Sequence, residues 1–163
     1  MTTKENACYA AGLFDGEGYV GIDKTSVSSG KARSVHRGVR VIISQKDGRI
    51  MNWLKDNFGG NVYSQRNGTK YSIYRWRTHA EKADKFLRCI QPYVIIKKPQ
   101  VDFALDFNDE RKKRTIIQGR SIKSGKYLPM TEDEIAWRLQ KRDELVALKR
   151  DYVPYIKDIV NKD

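Results

Sequence analysis

Two carboxylates set among glycines are where this chain can do chemistry: Asp15 and Glu17, at the end of the run Tyr9-Ala10-Ala11-Gly12-Leu13-Phe14-Asp15-Gly16-Glu17-Gly18. The run begins as a helix of small residues and ends in the two acids. A helix C-terminus carries the negative end of the backbone dipole, so acids are unfavourable there unless something positive offsets them. A divalent cation is the simplest offset, since hard divalent ions take oxygen ligands. Such an ion polarises a bound oxygen or lowers the pKa of a bound water, the chemistry of a metal-assisted hydrolysis. Glu17 is the first choice of ligand, the Gly16 carbonyl the second, and Asp15 a third. The alternative reading makes both acids ordinary solvated groups. His36 and His79 are the only histidines, which leaves no basis for a histidine-centred site; structural or contact roles are expected for both.

One such carboxylate is too few for a hydrolytic metal site. Cys8, Gly12 and Gly16 recur at spacing four, and on a helix they form one groove that lets a second backbone approach closely. If two copies pack along that groove about a two-fold axis, both Glu17 side chains meet and can share ions. The alternative is packing within one chain. Cys8 and Cys89 show neither metal-ligand spacing nor a disulfide framework, so both are expected to be buried free thiols.

The elements that must position these groups follow from pattern. At 163 residues the chain is expected to be a single domain, 1–163. A net charge of +12 points to a polyanionic partner. No long apolar run or signal segment is visible, so a soluble intracellular protein is expected (cytoplasm, nucleoid or an organelle) with no membrane partner. A first helix is predicted from Lys4 to Asp15, with Thr3 as N-cap and Gly16 and Gly18 ending it. Alternation then predicts strands at Tyr19–Thr25 and Val35–Ser44 around a polar loop. A helix is predicted over Asp47–Phe58, and Gly59-Gly60 stops it. Strands Asn61–Arg66 and Lys70–Arg77 flank the tight turn Asn67-Gly68. Thr78 and Glu81 read as a capping box for a helix His79–Ile90. A further helix runs from Lys97-Lys98-Pro99 to Phe107. The basic stretch 111–126 reads as a loop, serving either as a clamp on a nucleic-acid backbone or as a solvated linker. Thr131 and Glu134 open a last helical region, about 131–160, with Ile135, Leu139, Leu145 and Leu148 inward. The order is αββαββα plus C-terminal helices, an α+β fold, with no internal repeat.

Residues 10–18 resemble the nine-residue motif of the LAGLIDADG homing endonucleases. Ala11, Gly12, Leu13, Asp15 and Gly18 match it, Glu17 stands for Asp, and Ala10, Phe14 and Gly16 depart from the consensus. The motif occurs once, as in the members that act as homodimers. The similarity covers about 4–107. It implies a saddle-shaped antiparallel sheet astride double-stranded DNA and a dimer contact through Cys8, Gly12 and Gly16. It also implies Mg²⁺ or Mn²⁺ as cofactor, with Ca²⁺ binding without supporting cleavage. In single-motif members a Gln, an Arg or Lys and a Lys ring the metal site, orienting solvent and stabilising developing charge. Those roles carry over to Gln45, Arg49 and Lys97, which join Glu17 as the catalytic set; Lys98 is the rival to Lys97. The acid matching Asp15 is mainly structural in the family. A long, roughly palindromic site, a staggered cut with 3′ overhangs and an intron-encoded origin are further implications, and a chain with its own Met1 suits an intron product. The competing readings are an intron-RNA-binding maturase, a relative that binds DNA without cutting it, and a basic ribosome-associated or structural protein.

A strand rises about 3.3 Å per residue, close to the roughly 3.4 Å per base pair of DNA, and a two-stranded ribbon fits the major groove. The outward side chains expected to read DNA are Tyr19, Asp23, Thr25, His36, Arg37, Arg40, Tyr63, Gln65, Tyr71, Ile73 and Arg75. Arg40 and Arg75 suit guanine and Gln65 adenine. Lys31, Arg33, Arg66 and Lys70 at loop tips suit phosphates. Trp76, Tyr74 and Val62 should face inward, and Trp53 and Trp137 belong to the core.

Overall fold

A computed structural model describes residues 2–23, 38–66, 72–117 and 131–150. The elements are α1 (Thr3–Glu17), β1 (Gly18–Ile22), β2 (Val39–Gln45), α2 (Gly48–Phe58), β3 (Asn61–Arg66), β4 (Ser72–His79), α3 (Ala80–Ile90), α4 (Lys98–Ile117) and α5 (Glu132–Arg150). The αββαββα order is therefore present, followed by two helices. The strands form one antiparallel sheet in the order β1-β2-β4-β3. Val41, Ile43 and Trp76 point from its inner face into a core shared with Phe14 of α1, Leu54 of α2 and Phe86 of α3. Trp76 and Phe86 lie 4.9 Å apart between ring centroids. Trp53 packs against this core, and Trp137 stacks on Phe107 at 5.2 Å.

α1 begins one residue earlier than the sequence suggested. Thr2 is its N-cap: the Glu5 amide donates to Thr2 Oγ1 at 3.2 Å, and the Thr2 amide donates to Glu5 Oε2 at 2.7 Å. The helix continues through Gly16 to Glu17, where Gly18 donates its amide to the Phe14 carbonyl. A Cβ on Gly18 would lie 2.3 Å from the Phe14 ring, so only glycine passes there. At the end of α2, Gly59 and Gly60 take φ of 71° and 87°, and the Gly59 carbonyl accepts a 2.7 Å bond from the Trp76 indole. That tight turn sets the start of β3.

Thr78 is not a helix cap. It is buried on the inner face of β4, because pairing with β2 runs on to His79 opposite Arg40. The cap position of α3 falls to His79, which supplies no side-chain bond. Strand pairing has overridden a local signal.

α4 runs well beyond Phe107, so the start of the basic stretch is helix, not loop. Acids distant in sequence neutralise it: Asp84 takes Lys112 at 3.2 Å and Glu134 takes Arg114 at 2.9 Å. Residues 118–126, the remainder of the proposed clamp, lie outside the described residues. On α5 the Thr131 hydroxyl does cap, accepting from the Glu134 amide at 3.3 Å. Its inward stripe differs from expectation: Leu145 is buried, but Leu139 is 38% exposed, and the other buried positions are Glu134 and Arg138. Glu134 bridges Arg114 of α4 and Arg138, at 2.9 and 2.7 Å. Buried ion pairs fix register more than they add stability, and this one fixes where α5 sits on α4. No helix among the described residues is long and apolar enough to cross a membrane.

Candidate active site and sheet surface

The chemistry collects at the junction of α1 and β1. α1 has no basic residue in its last turn, and Lys97, from the segment entering α4, takes that place. Its ammonium donates to the carbonyls of Phe14 and Gly18 at 3.0 and 2.8 Å, and more weakly to that of Gly16 at 3.4 Å. The Gly16 and Gly18 carbonyls are among the orphans every helix end leaves, while that of Phe14 also takes the Gly18 amide. Burial holds the Lys97 ammonium below the ordinary lysine range, while the Asp15 and Glu17 charges pull the other way.

Asp15 and Glu17 are separated by role. Asp15 turns toward the chain: its two oxygens accept from the amides of Ile95 and Lys97 at 2.8 and 2.9 Å. It locks the segment that delivers Lys97, and is a buttress where metal ligation was also considered. Glu17 turns to solvent and makes no hydrogen bond or ion pair among the described residues. The outward Glu17 carboxylate and the Gly16 carbonyl are hard oxygen donors of the kind Mg²⁺ takes. No group of three His, Cys, Asp or Glu among the described residues could hold an ion. The described residues of one chain therefore do not complete a metal site alone, though Glu17 and the Gly16 carbonyl are donors that would suit such an ion if a second chain added its own.

Register places Gln45 at the same end. Gly18 pairs with Ile43, so the last residues of β2 lie level with the last turn of α1. α2 starts three residues later, and Arg49 lies in its first turn. Asp47 caps α2 through a 2.9 Å bond from the Arg49 amide, and its carboxylate also binds the Arg49 guanidinium, with closest approach 2.5 Å. The Arg49 side chain is 91% exposed. Hydrogen bonding from Arg49 lowers the Asp47 carboxyl to about 2. Glu17, Gln45 and Lys97 are thus brought to one end of the sheet, and Arg49 reaches it tethered to Asp47.

The outer face of α1 is bare. Cys8, Gly12 and Gly16 are exposed. The Cys8 thiol, expected to be buried, is exposed, since no described residue covers this face; Cys89 is half-buried. A Cβ built at Gly12 or Gly16 would meet nothing within 4 Å. Nothing among the described residues requires these positions to be small.

Opposite the core, the sheet presents Tyr19, Arg40, Ile42, Ser44, Tyr63, Ile73, Arg75 and Arg77, as the cross-strand pairings require. Arg75 donates to Ser44 Oγ at 3.3 Å. Asp23 is held by Arg40 at 2.8 Å, with His79 3.7 Å away. Arg40, expected to suit guanine, is therefore held by an acid of its own chain. Burial lowers the His79 pKa, with Arg77 adding to the effect. Backbone pairing sets Gln65 opposite Ile73 and Arg66 opposite Ser72. Thr25, Lys31, Arg33, His36, Arg37, Lys70 and Tyr71 lie outside the described residues. Sequence reasoning missed Arg77, although it follows Arg75 by two on the same face; its Nε is buried without a hydrogen-bond partner. Lys149 left no signal in the pattern.

The LAGLIDADG endonuclease family matches residues 10–109, more than half of the chain. The chain belongs to that family. Among solved structures, the homing endonuclease I-CvuI, in complex with its target in the presence of calcium, shares 13% identity and a TM-score of 0.56 over 86% of this chain and 96% of that one. The archaeal intron-encoded homing endonuclease I-Vdi141I, complexed with DNA, shares 14% identity and a TM-score of 0.52, with 90% and 99% covered. The LAGLIDADG meganuclease I-AabMI, bound to uncleaved DNA, gives a TM-score of 0.62 at 18% identity; 83% of this chain matches 44% of that one. These likenesses establish the LAGLIDADG fold. No curated protein matches the sequence.

Proposed function

We propose that this LAGLIDADG protein is a homodimeric, divalent-metal-dependent, sequence-specific endonuclease acting on double-stranded DNA. The observation that carries the reading is the pairing of Glu17, outward and unpartnered among the described residues, with a helix face of small residues that no described residue covers. Two copies joined on that face bring both Glu17 carboxylates and both Gly16 carbonyls to the two-fold axis. Mg²⁺ or Mn²⁺ held there would supply charge neutralisation at the phosphate and an acidified water. Lys97, fixed on the carbonyls at the end of α1, keeps a positive charge beside that site, where a preorganised cation favours developing anionic oxygen. Gln45 orients solvent, and Arg49, on leaving Asp47, adds a second cation. Tyr19, Arg40, Tyr63, Arg75 and Arg77 face the major groove. The relatives solved with DNA support this surface as the reading face. A long pseudo-palindromic site and a staggered cut with 3′ overhangs belong to the same proposal.

The target is first recovered by binding selection from a randomised duplex pool, and Glu17→Gln is then assayed on it with Mg²⁺. The variant is expected to bind as the parent does and to leave the duplex uncut. Normal cutting by the variant overturns the metal assignment. Failure of the parent to select any duplex, or to cut the one it selects, overturns the endonuclease reading.

A further inference from the structure

β1 is an edge strand. The Asp23 amide donates to the Gly38 carbonyl, so Asp23 belongs to a residue pair that exchanges bonds with the neighbouring strand. Such pairs alternate in an antiparallel ladder. Tyr19 and Gly21 therefore bond to β2, and the carbonyls of Gly18 and Val20 point off the free edge. Lys97 takes the first of these carbonyls. Lys149, from the last turn of α5, takes the second. Two ammonium groups thus stand along one strand edge, separated by two residues or ~7 Å.

Their surroundings differ. Lys97 spends its donors on three carbonyls and has Asp15 and Glu17 nearby. Lys149 has one carbonyl and the ring of Tyr19, 3.8 Å from its nitrogen. Tyr19 belongs to the outer sheet surface, so the ammonium sits where the edge meets that surface. Burial, with the cations Arg40 of β2 and Lys97 adding to it, lowers its pKa to about 8; the nearby acids face those cations, Asp23 held by Arg40 and Asp15 and Glu17 beside Lys97. Sealing a sheet edge explains one of its donors. It does not explain a half-buried cation held among cations, an arrangement that costs free energy until an anion arrives.

We propose that Lys149 is a DNA-phosphate contact of the cleavage site, gripping the backbone beside the phosphate that Lys97 and Glu17 address. The inference rests on the endonuclease reading and adds a residue to it. α5 is placed for the task by the Glu134–Arg114–Arg138 bridge, which sets its register on α4.

The test uses the full chain with Ca²⁺ on the selected duplex. Lys149→Met keeps the stem against Tyr19 and removes the charge. The plot of log affinity against log salt is expected to flatten by about 0.9 per lysine, or about 1.8 for a dimer. Weakening should be uniform across target variants, and Lys149→Arg should restore both slope and affinity. An unchanged slope in folded Lys149→Met overturns the proposal and leaves the endonuclease reading standing. Should Lys149→Met not fold, Lys149→Arg decides. A phosphate favours the charged amine, so wild-type binding takes up a proton and weakens as pH rises from 7 to 9, by about tenfold per lysine for a group moved from about 8 to its usual range. The always-charged guanidinium removes the Lys149 share of that loss, so Lys149→Arg should weaken less than the parent; equal losses in both proteins overturn the proposal. A parent protein without salt-dependent duplex binding would instead fail the endonuclease reading itself.

Discussion

Gly12→Leu separates what the subunit wants from what an assembly wants. Within one chain the substitution is favourable. Gly12 is an interior position of α1, exposed, and its added Cβ meets nothing within 4 Å. Exchanging Gly for Leu at such a site gains roughly 0.8 kcal/mol of helix propensity. Between two chains the sign reverses. Helix axes in contact lie about 8–10 Å apart, the short end being open only to small residues. A leucine on each partner forces the axes apart by ~2 Å or more and strips the contact of its close packing. Sedimentation velocity at micromolar protein should therefore show a dimer for the parent and a monomer for Gly12→Leu. The parent's thermal midpoint should rise with protein concentration, since association stabilises the folded state by mass action; the variant's should not, while its circular dichroism stays native. Cleavage is lost with the dimer because the two Glu17 groups no longer meet. If Gly12→Leu sediments as a dimer and still cuts, the open face of α1 is not the interface.

Two further substitutions probe the site and the reading face. Asp47→Asn keeps a good N-cap on α2 but removes the carboxylate that pins Arg49, so stability should change by only a few tenths of a kcal/mol while DNA affinity rises. Asp47→Ala should cost about 1 kcal/mol in urea denaturation through loss of the cap, and equal losses in both variants would show that the Arg49 tether, not the cap, carries the stability. Arg75→Ala should relax preference at one symmetric pair of base positions, worth about 1–3 kcal/mol per contact. Binding to a set of single-base target variants checks this, and uniform weakening would make Arg75 a phosphate contact.

What the sequence made legible was local. The run from Tyr9 to Gly18 carried the helix, its bare face and the acid at its end, because small residues at spacing four mean the same thing wherever they occur on a helix. The β-hairpins and the inward Trp76 followed from alternation, and Arg77 was within reach of the same rule. Thr78 misled because a capping pattern competes with strand pairing, and that pairing depends on β2, more than thirty residues away. The start of the basic stretch misled for a related reason. Its neutralising acids, Asp84 and Glu134, lie on α3 and α5, so a window of sequence saw only like charge where the folded chain has ion pairs.

The same distance in sequence explains how the acids at the end of α1 are tolerated. A metal was the natural inference from sequence, because a helix end with two carboxylates needs positive charge. The fold supplies part of that charge itself: Lys97 caps the helix, and the Lys97 amide is in turn held by Asp15. Asp15 and Lys97 therefore form a closed structural loop and leave Glu17 as the unbalanced charge. Because the loop already satisfies the helix end, a cation at Glu17 is not needed for folding, and its binding free energy remains for the reaction. Chelation should accordingly stop cutting without unfolding the subunit, which distinguishes this arrangement from a structural metal site, where apo protein and unfolded protein are the same state.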